Sequence, residues 1–453
     1  MEVVNSSSFP LFLHSRWSPA ILFGLGFISS VLIMISFNFG TIISPQSSLS
    51  TSSESRSSEL LLTPSSEQLA GPVWSFFFRH SSRSGNNSVH STTGKHSDAS
   101  ALPVINNEES MSSSALSRLK NSTACDIFTG KWVEDDTYPL YEPDTCPFVD
   151  KKFNCQQNGR QDDKYLRWRW APSDCNLQRF NGKNMLEILR GKRLVFVGDS
   201  LNRNQWESML CMLRNSLSNQ SGITHKHGSN RILSFLDYNC TVEFYKSRYL
   251  VDMNEGSGES DYTISLDRMD KMEVKWRKAD VLIFNTAHWW GPGKIGNGEN
   301  RFQEGDKIHR NLDVNLAYKR ALFTWANWVD AHVDPLETVV FFRTYSPKHF
   351  RGGAWNAGGH CEDETEPSHE DSDSHTSLSK IKAIEDVLGS MKVPVRLLNV
   401  TKLSAYRKDA HPSIYWHTQR LNISQQDCGH WCLPGLPDTW NELLYNDLIS
   451  LLA

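Results

Sequence analysis

From Arg193 onward the chain alternates two kinds of hydrophobic pattern. Short apolar runs rich in Val, Ile, Leu, Phe or Tyr occupy Arg193 to Val197, Val242 to Leu250, Asp280 to Phe284, Thr338 to Arg343 and Val395 to Asn399. Runs of this length between polar turns predict buried strands. Between or after them, Asn204 to Leu217, Leu312 to Val329, Ser377 to Met391 and Thr439 to Leu452 repeat their apolar residues at helical spacing. Strands alternating with helices predict an α/β sandwich around a mostly parallel sheet. In such sheets the functional site lies at the carboxyl ends of the strands.

The pattern differs before that point. Ala20 to Ile43 is uncharged, almost wholly apolar and 24 residues long, enough to cross a hydrocarbon core of about 30 Å at about 1.5 Å per residue. Phe37-Asn38-Phe39-Gly40 offers no good small-residue cleavage site, so an uncleaved membrane anchor is expected. It follows a short tail, residues 1–19, and precedes a Ser-rich stem, residues 44–123, of the kind that stays extended. Cys125 to about Asp174, with Cys175 directly after it, holds four cysteines and many aromatics with no sustained period, which predicts a loop-rich subdomain stapled by disulfides.

Composition adds the compartment. All nine cysteines lie beyond the anchor, as do the sequons at Asn121, Asn219, Asn399 and Asn422, which places this part in an oxidising, glycosylating lumen. Cys428 and Cys432 flank His430, but the cysteines show no paired C-x2-C units, so disulfides are expected and no metal site. Eight cysteines pair in any of 105 ways, and Cys240, inside Asn239-Cys240-Thr241, is the expected odd one. A net charge of −4 without a long basic run argues against nucleic acid and suits a neutral or weakly charged substrate.

The candidate chemistry sits at strand ends. Gly198-Asp199-Ser200 directly follows the first run, at the mouth of a helix. A glycine there permits the sharp turn that exposes a serine, and the helix N-terminus offers N–H groups to a developing oxyanion. A serine hydroxyl needs an imidazole to take its proton and a carboxylate to fix that imidazole's tautomer. His430 and Asp427, three residues apart in a cysteine-flanked turn, suit those roles. Asn285, ending another strand, is a candidate oxyanion donor beside the Ser200 N–H, with a strand cap as the bland alternative. Trp289 and Trp290 are candidates for stacking on sugar rings or for the core, and Arg343 for binding substrate or for a structural ion pair. The acidic stretch Glu362 to Asp373 reads as a solvated loop.

Longer motifs join these residues. Cys125-Asp126-Ile127-Phe128-Thr129-Gly130-Lys131-Trp132-Val133, Asn154-Cys155-Gln156-Gln157-Asn158-Gly159-Arg160, Val197 to Gln205, Phe342-Arg343-Thr344 and Asp427 to Gly435 running into Asp438 to Leu444 together resemble the trichome birefringence-like proteins of plants, which are polysaccharide O-acetyltransferases. The resemblance implies a single-pass type II Golgi membrane protein with a luminal catalytic domain. It implies a cysteine-rich N-terminal (PMR5N-like) domain over residues 124–178 and, over 179–453, an SGNH/GDSL-hydrolase-like three-layer α/β domain, the two stapled by disulfides. It implies that Ser200 is acetylated and passes the acetyl group to a hydroxyl of xylan, another hemicellulose or pectin, with Asp427 and His430 completing the triad. The acetyl donor, acetyl-CoA or another luminal donor, is then a co-substrate and no cofactor is bound. An acetyl esterase on the same triad and a noncatalytic wall-polysaccharide binder are the competing readings.

Overall fold

The computed structural model describes residues 125–226, 231–255, 262–296, 298–368, 375–417 and 425–451. The expected tail, anchor and stem lie outside these residues. No helix among the described residues is long and apolar enough to cross a membrane.

All five expected strands lie side by side in one seven-stranded sheet, in the order Val395–Leu398, Val339–Arg343, Val281–Phe284, Arg193–Gly198, Cys240–Lys246, Arg231–Phe235, Ile223–Lys226. The first five run parallel, and the last two add an antiparallel edge. Successive side chains on a strand point to opposite faces, and both faces are buried. Leu194, Phe196, Ile283 and Phe341 pack with Trp206, Met209 and Trp440 from helices Ser200–Asn215 and Leu436–Ser450. Val195, Val197, Leu282, Phe284 and Phe342 pack with Tyr318, Trp325 and Ile384 from helices Val314–His332 and His375–Leu388. The result is the three-layer α/β sandwich.

Two departures stand out. The expected strand Val242 to Leu250 is divided: it ends at Lys246, and Leu250 turns the chain with φ 63° before a new strand, Val251–Glu255. That strand belongs to a second sheet with Tyr262–Met269, Phe302–Glu304 and Lys307–His309, which the reading of the sequence did not include; the last two are three residues each, whereas Tyr262, Ile264 and Leu266 do alternate with polar residues. The cysteine-rich segment also contains a small antiparallel pair, Gly130–Glu134 with Trp168–Pro172.

Four disulfides form, and Cys240 is the free, buried one, as expected. Cys125–Cys175 closes the N-terminal segment on itself. Cys146–Cys211 and Cys155–Cys432 tie that segment to the sandwich, and Cys361–Cys428 pins the loop before His430. The acidic stretch is described only as far as residue 368, and there it is tied down rather than merely solvated: Glu364 pairs with Arg351 and Lys408.

The join between the N-terminal segment and the last helix is built on buried acids. The Tyr138 hydroxyl donates to Glu442 at 3.0 Å, and the Tyr141 hydroxyl donates to Asp438 at 3.1 Å. Burial raises the Glu442 carboxyl from the ordinary 4.5 to about 7, against the Phe180 N–H and the Tyr138 hydroxyl, which favour its charge. A carboxyl raised on folding stabilises fully below its unfolded value and loses that contribution as pH climbs to the folded one. Stability is therefore expected to fall between about pH 4.5 and 7, and Glu442→Gln is expected to flatten that slope in denaturant titrations at several pH values.

Candidate active site

The buried strand Arg193–Gly198 delivers its carboxyl end into a turn that only glycine fits. A Cβ on Gly198 would lie 1.9 Å from Asn285 Oδ1, far inside contact distance. Asn285 approaches this closely because it holds the turn: its Oδ1 accepts from the Asp199 N–H at 3.2 Å and its Nδ2 donates to Asp199 Oδ1 at 2.9 Å. Asp199 in turn caps the helix, accepting from the Leu201 N–H at 2.9 Å. Asn285 is thus buried and holds the turn, the capping role that was its bland alternative. Ser200 is the first residue of the helix and is partly exposed, its own N–H standing at the helix mouth.

His430 reaches this serine from the far end of the sequence. Its Nε2 lies 2.7 Å from Ser200 Oγ, and its Nδ1 lies 2.7 Å from Asp427 Oδ2. The other carboxylate oxygen accepts from the backbone N–H groups of Gly429 at 3.1 Å and His430 at 3.0 Å. Burial opposes the Asp427 charge, but the His430 ring and those N–H groups outweigh it and hold the carboxyl well below the usual range. The three residues named from the sequence are brought together in the order their chemistry requires.

The cysteine staples expected beside His430 form, and a second clamp that the sequence did not show joins them. Cys428 and Cys432 are bonded to Cys361 and Cys155, so neither is available as a zinc ligand. Among the described residues no three His, Cys, Asp or Glu side chains gather as metal ligands. Asn204, one helical turn after Ser200, clamps Trp431 twice: its Oδ1 accepts from the Trp431 N–H at 2.9 Å and its Nδ2 donates to the Trp431 carbonyl at 3.1 Å. The helix that carries the nucleophile therefore also holds the residue beside the base. Asn204→Ala is expected to lower kcat by roughly 10- to 100-fold, because ångström-scale misplacement costs that much, with KM little changed in steady-state assays.

A cleft of about 360 Å³ opens over Ser200, His430 and Asp427. Trp289 lines it, as its candidacy requires, together with Trp355, Trp416, His288 and the lysines 152, 294 and 348, none of which the sequence singled out for chemistry. They come from loops and from helical turns of three or four residues, too short to show a period. Trp290 does not line it: buried at 2 % exposure, it stacks on Phe302 and donates its ring N–H to Thr286. Arg343 is likewise corrected. The period of two puts it on the face of Phe341, where it lies 4.7 Å from the Trp440 ring centroid, 1 % exposed and away from the rim. Burial lowers its pKa to about 10. His288, stacked on Tyr345, lies 2.7 Å through Nε2 from the Ser346 carbonyl; burial and then Lys348 push its pKa well down, so it is neutral.

Comparison with known proteins matches this architecture. Residues 177–447 match the GDSL/SGNH-like acyl-esterase family found in Pmr5 and Cas1p, and residues 123–176 match the PMR5 N-terminal domain. Protein trichome birefringence-like 6 of Arabidopsis thaliana is 50 % identical over 343 residues, 73 % of this chain and 72 % of its own. Protein trichome birefringence-like 1 of the same plant is 47 % identical over 348 residues, 73 % of this chain and 62 % of its own. Protein trichome birefringence is 46 % identical over 348 residues, 73 % of this chain and 57 % of its own. The matched region thus spans less than two thirds of these last two relatives. A serine, an imidazole and a carboxylate in hydrogen-bonded series, on a sandwich matched over most of its length, lead to one assignment: the chain belongs to the GDSL/SGNH-like acyl-esterase family, in its trichome birefringence-like branch with a PMR5 N-terminal domain.

Proposed function

We propose that this protein is an O-acetyltransferase that carries an acetyl group on Ser200 from a donor to a hydroxyl of a cell-wall polysaccharide. The observation that carries the reading is the unbroken series Ser200 Oγ, His430 Nε2, His430 Nδ1, Asp427 Oδ2, with both links at 2.7 Å. Ser200 Oγ attacks the acetyl carbonyl as its proton passes to His430 Nε2. The Ser200 N–H at the helix mouth faces the developing oxyanion. Nε2 then returns the proton to the leaving group, which departs from the tetrahedral centre. A sugar hydroxyl entering the cleft gives its proton to Nε2 and attacks the acyl-serine, and collapse releases the acetylated sugar and restores the serine hydroxyl. Trp289 supplies an aromatic wall on which a sugar ring can stack.

The donor is acetyl-CoA or another luminal acetyl compound. The chain would sit in the Golgi membrane through residues 20–43 with its catalytic part in the lumen, a reading supported by the apolar run, the cysteines and the sequons.

Hydrolysis on the same triad is the second reading, favoured by a cleft open to solvent beside the serine and by the acyl-esterase character of the family. Incubating the purified chain with an acetyl donor and wall oligosaccharides, followed by mass spectrometry, separates them. Acetylated oligosaccharide is expected. Free acetate with no acetylated sugar overturns the transferase.

A further inference from the structure

The cleft gathers positive charge that no ion pair of the described residues takes up. Lys152, Lys294 and Lys348 line it, and among the described residues none of the three is in an ion pair with a carboxylate. The one carboxylate on the lining, Asp427, is taken up by His430 and two backbone N–H groups. Lys294 is held in place by aromatic rings rather than by an acid: its Nζ lies 3.6 Å from the Trp355 ring centroid and 5.2 Å from that of Trp289. The Arg248 guanidinium lies over Trp289 as well, at 4.6 Å, and its Nε is buried without a hydrogen-bond partner.

Gathering like charges is unfavourable, and the molecule shows the strain of it. Burial and then Arg248 lower the pKa of Lys294, and burial and then Lys294 lower that of Lys348. A chain of net charge −4 had acidic residues to spare, yet none comes within ion-pair distance of these lysines among the described residues; Asp427, and for Lys348 also Asp199, offset the burial only in part. The arrangement is complete only when an anion enters. Cations set among indole rings, beside an acyl-transfer serine, suit a sugar whose ring stacks while an attached carboxylate meets the ammonium groups.

We infer that the acceptor is an acidic glycan, with a uronic acid carboxylate bound at Lys294 and Lys348 while a nearby hydroxyl faces Ser200 and His430. This departs from the neutral or weakly charged substrate that overall composition suggested. It rests on the transferase reading for the fate of the acetyl group, but the binding site stands on its own geometry.

The test is calorimetric titration of the full chain carrying Ser200→Ala with oligogalacturonate, its fully methyl-esterified counterpart, neutral xylo-oligosaccharide and coenzyme A. Oligogalacturonate is expected to bind about tenfold or more tightly than either neutral sugar, the gain of a single well-placed charge contact. That preference is expected to shrink at high salt, to vanish when Lys294→Gln and Lys348→Gln are added, and to survive the corresponding arginine substitutions. Equal binding of the methyl ester, or a preference that persists in the glutamine variant, overturns the inference. So does lysine-dependent binding of coenzyme A without binding of oligogalacturonate, since the cations would then serve the donor's phosphates. With the unsubstituted serine, charge-selective binding without acetyl transfer would leave this site standing and refute the transferase. Transfer to xylo-oligosaccharide as efficient as to oligogalacturonate would do the reverse.

Discussion

Ser200→Ala is expected to lower acetyl turnover by about 10⁶-fold, the scale seen when the nucleophile of a serine triad is removed. The hydroxyl lies 2.7 Å from His430 Nε2, and without it the imidazole has no serine proton to take and no acyl-enzyme forms. A residue of about 10³-fold over water is expected to remain, because the cleft and the helix mouth still bind and polarise an ester. The fold is expected to be unaffected. Ser200 is partly exposed, and the helix it begins is capped by Asp199. Parallel measurement of kcat and of the denaturation midpoint reads both, and a variant that loses stability along with activity would contradict this account.

Asp427→Asn is expected to cost about 10⁴-fold in kcat, by setting the wrong tautomer. The backbone N–H groups of Gly429 and His430 both point at Oδ1. An asparagine therefore places its carbonyl oxygen there and turns its NH₂ toward His430 Nδ1. Nδ1 must then accept, the ring proton moves to Nε2, and Nε2 can no longer take the serine proton. The wild-type carboxyl, held well below the usual aspartate range, stays ionised at any pH above that range. Its contribution to stability is present above the ordinary aspartate value and is lost only as pH falls through the depressed folded value. The pH–rate profile at neutral and mildly acidic pH is therefore expected to show no ionisation of Asp427, and Asp427→Asn is expected to lower its plateau.

The five parallel strands were legible because strands buried on both faces appear as continuous apolar runs, and Arg193 to Val197 is such a run. Ser200, Asp427 and His430 were legible because each lies in a short motif at a strand end or in a cysteine-flanked turn, where sequence neighbours are also spatial neighbours. For Arg343, Trp290 and Asn285 the sequence left a functional and a structural role open, and all three turn inward. A period of two tells which strand residues share a face but not which face opens to solvent, which is the case of Arg343, while Asn285 and Trp290 follow the end of their strand, where no period applies. Asn204 was invisible as a positioning residue because its partner Trp431 is 227 residues away. The lysines of the cleft were hidden by averaging, since a net charge summed over the whole chain says nothing of the sign at one wall of it.

The proposed acetyl transfer passes through a single covalent state, the acyl-serine. Full-chain protein incubated briefly with an acetyl donor, quenched in acid, digested and sequenced by mass spectrometry reports that state directly. One added acetyl group on Ser200 is expected, absent in Ser200→Ala and accumulating in the absence of acceptor sugar. Acetylated sugar formed while Ser200 is never acetylated, or formed undiminished by Ser200→Ala, would contradict the account.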